Sequence, residues 1–402
     1  MESTKDNFNL RLRQNPYLIE YNPDVMKAID VSISNGLHDY YDIDSQFIDE
    51  YRNKKKPLPI WILEAACNVN SKHHLIPINH QNIWYCLNNA VVTRSQPSGR
   101  IFQSRVCFSP CYIDVDETIK KVFIDTLNKL GTSQSKFSLL CGYKVGTTRI
   151  INKKIPITAI LKICQVLKLD IWQLLKGHKL FGKTSKTGTI IIPEKEQDPD
   201  ILVLLTWIKT EGHLTLSHPS IEINQKNDMK SLKEIQRIIK EKFRLKKCGI
   251  FAIGKRGDDR LIISSSSLRQ FLCLKHQIPI GYKSNSLERM NINNLSDECC
   301  QKIMAAFIQT EGCLSYNYTR NKKKKLPKFE FIVKDQALAE DCLMTLQKMG
   351  FNPTYHHKQN VYKVGLYNSK QVIDLINLTK NYFFNTKKIS YLKEVCTSGI
   401  GL

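Results

Sequence analysis

Two stretches of this sequence, 100 residues apart, are versions of the same segment. Residues 202–214 read LVLLTWIKTEGHL, and residues 302–314 read KIMAAFIQTEGCL. Aligned without a gap, both place Thr-Glu-Gly at the end of a mostly apolar stretch, with the glutamates at Glu211 and Glu311. A repeat at a fixed interval constrains a fold more than composition does, because both copies must build the same unit. The chain is therefore expected to contain two related halves.

The sequence after each stretch follows the same pattern. Alternating apolar and polar residues predict paired strands, an amphipathic helix comes next, and further paired strands and a last helix follow. The amphipathic helices are predicted at 229–243 and 337–349, and the last helices at 268–277 and 369–379. Two pseudo-symmetric αββαββα units, at residues 200–292 and 293–402, are the simplest interpretation. The predicted fold class is α+β.

Each apolar stretch is predicted to be a helix that ends in Glu followed by Gly. Glycine is common just past a helix end, because it adopts a positive φ without a steric cost. A single Glu-Gly pair is most often a solvated helix end, but its recurrence on two apolar helices favours a function. If the helices pack side by side, Glu211 and Glu311 come together, and they repel each other unless a divalent cation or protons intervene. A cation held by carboxylates can activate water for phosphoryl displacement.

The motifs LLTWIKTEG at 204–212 and AAFIQTEG at 305–312 resemble those of the LAGLIDADG homing endonucleases in their single-chain, two-motif form. The resemblance covers roughly residues 200–396. It departs from the family pattern where Leu205 and Thr206 stand in place of small residues that permit close helix contact. The second motif has Ala305 and Ala306 there.

That resemblance implies a reaction and a site. In the family, the acidic residue before the terminal glycine binds the divalent metal, and a basic residue late in each unit organises the active-site water. The resemblance assigns catalysis to Glu211, Glu311, Lys283 and Lys387 and the metal site to Glu211, Glu311, Gly212 and Gly312. The implied cofactor is Mg²⁺, with Mn²⁺ as a substitute. The sheet of each unit is expected to form a saddle over the major groove of double-stranded DNA.

The charge of the chain points to the same class of partner. Sixty Lys and Arg residues against 37 Asp and Glu give a net charge of +23, which implies nucleic acid or an anionic membrane surface as partner. The positive charge extends along the whole sequence, which favours nucleic acid. No run of about 18 apolar residues and no apolar N-terminal stretch is present, so neither a membrane span nor a signal peptide is expected. The expected location is the cytoplasm.

Basic residues are concentrated in two segments of the repeat units. The four-lysine run at 322–325 occupies the place of a long hairpin tip. Such runs are usually solvated loops, but on a DNA-facing hairpin each lysine can neutralise a phosphate. The second cluster lies in the later strands of the first unit. The candidate DNA contacts in both units are Asn224, Lys255, Arg256, Arg260, Arg320, Lys323 and Lys324.

Residues 116–178 are predicted to form a helical domain before a polar linker at 179–199. The segment 133–154 reads SQSKFSLLCGYKVGTTRIINKK, and a glycine between two short helices is typical of the helix-turn-helix motif. It resembles the lambda-repressor-like helix-turn-helix domains; an ordinary helical linker domain is the alternative. The resemblance assigns DNA contacts to Gln134, Lys144, Thr147 and Arg149.

A weaker parallel lies upstream, in residues 1–115. Pro59-Ile60 is followed after six residues by Cys67, and Pro156-Ile157 is followed after six residues by Cys164, each pair coming after lysines. Either this region contains a second, eroded helix-turn-helix module and a connector, or the parallel is a coincidence. The N-terminal region as a whole is expected to be all-α.

These patterns predict a site-specific double-strand DNA endonuclease of the homing type that works as a monomer with internal pseudo-twofold symmetry. Two other classes remain open. One is a DNA-binding transcriptional regulator that has the same fold but does not cleave. The other is an RNA-binding maturase that acts on its own intron RNA. Glutamates at both motif positions favour the nuclease over the regulator.

Overall fold

A computed structural model describes most of the two repeat segments and parts of the chain before them. The described residues are 17–34, 37, 45–59, 62–63, 66, 92–95, 101–102, 111–134, 137, 154–182, 188–195, 197–215, 220–226, 228–246, 248–253, 258–278, 287–318, 325–359 and 361–385. The chain divides into two compact units. Unit 1 comprises Met1–Glu194, Leu214–Ser220 and Ser264–Tyr282, and unit 2 comprises Lys195–His213, Ile221–Ile263 and Lys283–Leu402.

Unit 1 contains two four-stranded antiparallel sheets before the repeat segments. The elements of the first are β1 (Tyr17–Ile19), α1 (Pro23–Ser34), α2 (Ser45–Lys54), β2 (Leu58–Pro59), β3 (Val92–Ser95) and β4 (Ile101–Phe102). Those of the second are β5 (Tyr112–Asp114), α3 (Glu117–Leu130), β6 (Lys154–Pro156), α4 (Ile157–Leu167), α5 (Ile171–Leu174), β7 (Lys179–Phe181) and β8 (Ile190–Ile191). The expectation of an all-α N-terminal region is therefore wrong.

Two residues that were assigned to a helix show why the all-α prediction is wrong. Ile155 and Pro156 belong to the apolar run that predicts a helix, but they form β6, where Ile155 pairs with Ile113 and Pro156 with Tyr112. The strand is an edge strand, where a proline without an N–H group is tolerated. A strand of three residues is too short to produce a readable alternation of apolar and polar positions.

The two sheets of unit 1 have the same strand order, β2-β1-β3-β4 and β6-β5-β7-β8. Strands β2 and β6 both end in a proline. Pro59 of β2 pairs with Leu18 of β1, and Pro156 of β6 pairs with Tyr112 of β5. The upstream parallel in the sequence thus has a structural counterpart, because both prolines occupy the same place in a sheet.

The helices after β1 and β5 are also built alike. Asn22 accepts a hydrogen bond from the backbone N–H of Val25 at 3.2 Å, and Asp116 accepts one from Ile119 at 2.8 Å, so each caps the N-terminus of its helix. Ten residues after each cap lies a fully buried hydroxyl side chain, Ser32 in α1 and Thr126 in α3. The described parts of 17–102 and 111–191 are therefore two modules that share a strand order and a capped helix after the first strand.

The two repeat segments have the same order of elements. The first contains α6 (Pro199–Thr210), β9 (Gly212–Leu214), β10 (Ser220–Lys226), α7 (Met229–Phe243), β11 (Gly249–Ile253), β12 (Asp258–Ser264) and α8 (Ser266–His276). The second contains α9 (Asp297–Gln309), β13 (Gly312–Tyr318), β14 (Lys325–Val333), α10 (Gln336–Lys348), β15 (Thr354–Lys358), β16 (Val361–Leu366) and α11 (Ser369–Thr379). Short 3-10 helices span Ile292–Asn294 and Lys380–Tyr382. The mixed α+β class agrees with the prediction.

The sheets of the two segments have equivalent strand orders, β9-β10-β12-β11 and β13-β14-β16-β15. Alternate residues of a strand face opposite sides of a sheet. In β14, Phe329 and Phe331 are fully buried on the core side, and Lys328 and Glu330 lie on the other side. Each sheet thus has one apolar face and one polar face. Among the helices that the structure describes, none has the length and apolar character needed to cross a membrane.

Candidate active site at the paired helix ends

Helices α6 and α9 pack against each other in unit 2, and both are buried along most of their length. Asp198 caps α6 through the backbone N–H of Asp200, and Ser296 caps α9. Near these N-termini, the Lys302 ammonium of α9 contacts the Asp200 carboxylate of α6 at 3.2 Å. Because this contact joins the N-terminal parts of both helices, the two helices begin at the same end of the pair.

The C-terminal ends also lie together. The ring of Trp207 in α6 stacks on the ring of Phe384, with centroids 6.3 Å apart. The backbone N–H of Phe384 donates to the side-chain oxygen of Gln309 in α9 at 2.7 Å. Both helices thus reach the same segment of chain. Glu211 comes four residues after Trp207 and Glu311 two residues after Gln309, so both glutamates lie at this end of the pair.

The two helix ends have matching hydrogen bonds. The Thr210 hydroxyl donates to the carbonyls of Thr206 and Trp207 at 2.9 and 3.3 Å. The Thr310 hydroxyl donates to the equivalent carbonyls, those of Ala306 and Phe307, at the same two distances. The Trp207 and Ala306 carbonyls also accept the backbone N–H groups of Glu211 and Thr310, at 2.9 and 3.0 Å, so each hydroxyl is a second donor to its helix end. The threonine of each Thr-Glu-Gly motif therefore makes the same bonds in both helices.

The glycines of the motifs are required for a reason that differs from the expected one. Neither has a positive φ. A Cβ on Gly212 would come within 2.9 Å of the Ile208 Cα, and a Cβ on Gly312 within 2.7 Å of the Ile308 Cα. Real Cβ atoms do not approach backbone so closely. Glycine is thus needed because the departing strand passes close against the last turn of its own helix.

The first motif has larger residues than the second at the two seam positions, and the hydroxyl of the polar one is hydrogen-bonded. Leu205 is buried, and Thr206, which is fully buried, donates its hydroxyl to the Leu202 carbonyl at 2.9 Å. Ala305 and Ala306 are fully buried in the second motif.

The donors at this end suit a hard cation. Glu211 is half-buried and Glu311 is exposed, and both stand at helix C-termini, where the backbone carbonyls add negative partial charge. No group of three or more His, Cys, Asp or Glu side chains gathers anywhere in the described part of the chain. Mg²⁺ commonly binds to one or two carboxylates and completes its shell with water and substrate phosphates. Two glutamates fit that mode and not an all-protein cage.

A buried ion pair lies next to this end. The Lys209 ammonium, on the last turn of α6, contacts the Asp341 carboxylate at 3.3 Å and donates to the Glu288 carbonyl at 2.5 Å. Asp341 is fully buried and also accepts from the backbone N–H of Met290 at 2.7 Å. Burial raises the pKa of Asp341 to about 6, although Lys209 acts in the opposite direction. The pair ties α6 to α10 of the second segment.

The polar face of the second sheet carries a clustered carboxylate. Glu330 contacts the ammonium groups of Lys328 at 2.9 Å and Lys363 at 2.5 Å, and it accepts from the Tyr367 hydroxyl at 3.0 Å. Burial acts to raise the pKa of Glu330, but these hydrogen bonds outweigh it and lower the pKa to about 2. The carboxylate is therefore ionised at any physiological pH.

The first sheet has a glutamate in the equivalent place. Glu222 lies beside His213, just as Glu330 lies beside Cys313, and it contacts Arg260 at 3.0 Å. Arg260, a predicted DNA contact, is 37 % exposed and is therefore held in place by Glu222 while it still reaches solvent. Asn224 lies on β10, the strand of Glu222. It is half-buried, and its side-chain oxygen is buried.

The structure describes only some of the predicted site residues. Gln134 is half-buried just after α3. The predicted residues outside the described part of the chain are Lys283, Lys387, Lys144, Thr147, Arg149, Lys255, Arg256, Arg320, Lys323 and Lys324. Sequence reasoning missed Lys209, Gln309, Glu222 and Glu330. For the first two, a polar residue two positions before the motif glutamate on an apolar helix was the available signal.

No family model matches the sequence, and neither does any curated protein. Among solved structures, the chain is similar to the N-terminal LAGLIDADG domain of DUF199/WhiA, with 12% identity over 47% of this chain and 86% of that one and a TM-score of 0.32. It is similar to the LAGLIDADG meganuclease I-AabMI bound to uncleaved DNA, with 16% identity, 50% and 93% coverage and a TM-score of 0.34. For I-DmoI in complex with DNA and Mn, the values are 17%, 45%, 96% and 0.33.

Proposed function

We propose that this chain is a divalent-metal-dependent endonuclease that cuts both strands of a specific DNA site. The observation that carries the proposal is the pair of Thr-Glu-Gly helix ends, which lie together at one end of two buried, adjacent helices. A carboxylate at the negative end of a helix is unfavourable by itself. Two of them at one place are best explained by a bound cation.

In this proposal, Glu211 and Glu311 hold Mg²⁺, or Mn²⁺ in its place. The metal supplies Lewis-acid stabilisation of a phosphoryl oxygen and a more acidic water. Gly212 and Gly312 keep the backbone close to the helix ends beside the metal. Lys283 and Lys387, by the resemblance, organise the attacking water. The protein acts as a monomer whose two repeat segments form pseudo-symmetric halves.

The DNA is proposed to lie on the polar faces of the two sheets. The Glu222–Arg260 and Glu330–Lys363 pairs support this assignment, because they hold basic groups at equivalent places of both faces. Ionic networks that fix such groups in advance limit the entropy lost on binding. The proposed contacts of the sheets and their hairpins are Asn224, Lys255, Arg256, Arg260, Arg320, Lys323 and Lys324. In the module at 111–191, the proposed contacts are Gln134, Lys144, Thr147 and Arg149.

A DNA-binding regulator that does not cleave is the second candidate. It is favoured by the basic groups that Glu222 and Glu330 hold on the polar faces of both sheets, because these groups serve DNA binding whether or not the DNA is cut. Such a protein would retain the sheet faces and the charge of +23 but would not use the glutamates for a metal.

A library of DNA duplexes distinguishes the two. With Mg²⁺, the nuclease should yield one long target, because two four-stranded saddles follow the groove over more than one helical turn. Cutting should stop with a chelator and continue with Mn²⁺, whereas Ca²⁺ should support binding with little cleavage. Selective, salt-sensitive binding without any metal-dependent strand break would identify the regulator instead.

A further inference from the structure

A large apolar side chain is exposed on the polar face of the second sheet. Ile332 lies in β14 between Phe331 and Val333, which are buried, and it is 46% exposed. Alternate residues of a strand face opposite sides of a sheet, so Ile332 shares the polar face with Lys328 and Glu330. The open face of an antiparallel sheet normally carries polar residues. An exposed isoleucine in this inner strand therefore needs an explanation.

The neighbours of Ile332 across the sheet are a lysine and a histidine. Ile332 pairs with Lys363 of β16, which in turn pairs with His356 of β15. Lys363 and Lys328 both contact the carboxylate of Glu330, so the lysines of this cluster outnumber its carboxylate. Excess positive charge around the isoleucine suits an anionic ligand such as DNA better than an apolar protein surface.

Ile332 also lies next to the second motif glutamate. In the register of β13 and β14, Phe331 pairs with Gly312, so Ile332 and Glu311 are the next residues of the two segments in that direction. Directly opposite residues of paired strands have Cα atoms about 5 Å apart, which is less than the rise of two base pairs. A base that contacts Ile332 would therefore lie within about 5 base pairs of a phosphate bound at Glu311.

The first sheet has a different residue at the equivalent place. The backbone N–H of Asn224 donates to the Glu211 carbonyl at 3.5 Å, so Asn224 is the neighbour of the first motif glutamate. Asn224 follows Glu222 by two residues on β10, as Ile332 follows Glu330 on β14. The two sheets thus have an amide at one of these places and an aliphatic side chain at the other.

We propose that Ile332 is a specificity-determining residue that recognises the C5-methyl group of a thymine in the major groove, close to one of the two cuts. Thymine is the base that presents an apolar group at its major-groove edge, and apolar side chains contact this methyl group. Isoleucine has no hydrogen-bonding group in its side chain, so it selects by shape and apolar contact. Because the equivalent residue of the first sheet is Asn224, this requirement applies to one half of the target. The assignment rests on the proposed function and deepens it.

The test measures the Kd of the full chain for the target from the duplex library, in Ca²⁺ and at one salt concentration. Each thymine of the target is replaced in turn by deoxyuridine, which removes the C5-methyl group and keeps the base pair. One replacement, within about 5 base pairs of a cut, should weaken binding by about 3- to 5-fold, the factor expected for one buried methyl group. At that place, 5-methylcytosine paired with guanine should bind more tightly than cytosine paired with guanine, because it restores the methyl group.

Variants of Ile332 show whether this side chain makes the contact. Ile332→Ala should weaken binding of the thymine target by at least about 3-fold and should lose the response to deoxyuridine, because one contact is removed from either side. Ile332→Asn, which copies the residue of the first sheet, should lose the response as well, so the result does not depend on one variant. Leu378→Ala is the matched control, since Leu378 is 42% exposed on α11, outside the sheet. It should retain both the wild-type Kd and the response to deoxyuridine.

Three results would overturn the role of Ile332 alone. They are a wild-type chain that responds to deoxyuridine at no thymine of the target, an Ile332→Ala chain that responds as strongly as the wild type, and an equal loss of affinity in Leu378→Ala.

Cutting of the same duplex with Mg²⁺ is scored separately. A wild-type chain that binds the target, responds to deoxyuridine through Ile332 and never cuts would refute the nuclease and support the role of Ile332. A wild-type chain that binds no duplex selectively would overturn both. Binding and cutting therefore distinguish the two failures.

Discussion

Replacing Glu330 by Gln is expected to destabilise the second sheet in a way that depends on pH. The Glu330 carboxylate is surrounded by Lys328, Lys363 and the Tyr367 hydroxyl, and these partners lower its pKa from 4.5 to about 2. Because the pKa is lower in the folded protein than in the unfolded chain, the carboxylate contributes stability above about pH 4.5. That contribution is lost as the pH falls toward 2.

The magnitude follows from the pKa change. Each pKa unit corresponds to about 1.4 kcal/mol, so the ionised carboxylate contributes about 3 kcal/mol at pH 7. Glutamine retains an acceptor for one of the lysines, and we therefore expect a loss of about 2 to 3 kcal/mol. Glu222→Gln is the matched control in the other sheet. Its main partner, Arg260, is partly exposed, so we expect a loss of at most about 1 kcal/mol.

Urea unfolding of the full chain at pH 7, 5 and 3, followed by circular dichroism, measures both losses. The deficit of Glu330→Gln should be largest at pH 7 and should shrink at pH 3 toward zero. Equal losses for Glu330→Gln and Glu222→Gln at pH 7 would refute the account of the cluster, and so would a Glu330→Gln deficit that does not shrink with falling pH.

Two further predictions concern the architecture. Gly312→Ala should lower the free energy of unfolding by about 3 kcal/mol, because the new Cβ would meet the backbone of Ile308. Gly131→Ala is the control; this glycine has open space around it and a positive φ, so the change should cost about 1 kcal/mol. Equal losses in thermal unfolding would contradict the close-approach explanation. A fragment of residues 196–402 should aggregate, because α8 would lose the ring contact between Phe271 and Trp172; a folded monomer by size exclusion and circular dichroism would contradict this.

The glutamate pair was predictable from sequence because its signals are local and repeated. A helix that is apolar on all sides must be buried, and two copies of one motif are expected to pair. The structure adds that Glu211 and Glu311 share one end of the helix pair, through contacts of both helices with Phe384. The equivalent orders of strands in the two segments also agree with the repeat in the sequence.

Other features were not predictable because their causes are long-range or very short. The strands of unit 1 have two to four residues, too few for a visible period, so Ile155 and Pro156 were assigned to a helix. Lys209 is visible as a charge in an apolar helix, but its partner Asp341 is 132 residues away. The need for Gly212 is set by the approach of a strand to a helix and not by φ.

Cutting and binding assays on glutamine variants test most directly whether Glu211 and Glu311 hold a catalytic metal. Glu211→Gln and Glu311→Gln should each abolish double-strand cutting with Mg²⁺, because each removes a charged metal ligand, and should leave the Kd for the target in Ca²⁺ nearly unchanged. Glu298→Gln, a change on the exposed face of α9, is the control and should cut like the wild-type chain. Wild-type rates of double-strand cutting by both Glu211→Gln and Glu311→Gln would contradict the metal assignment.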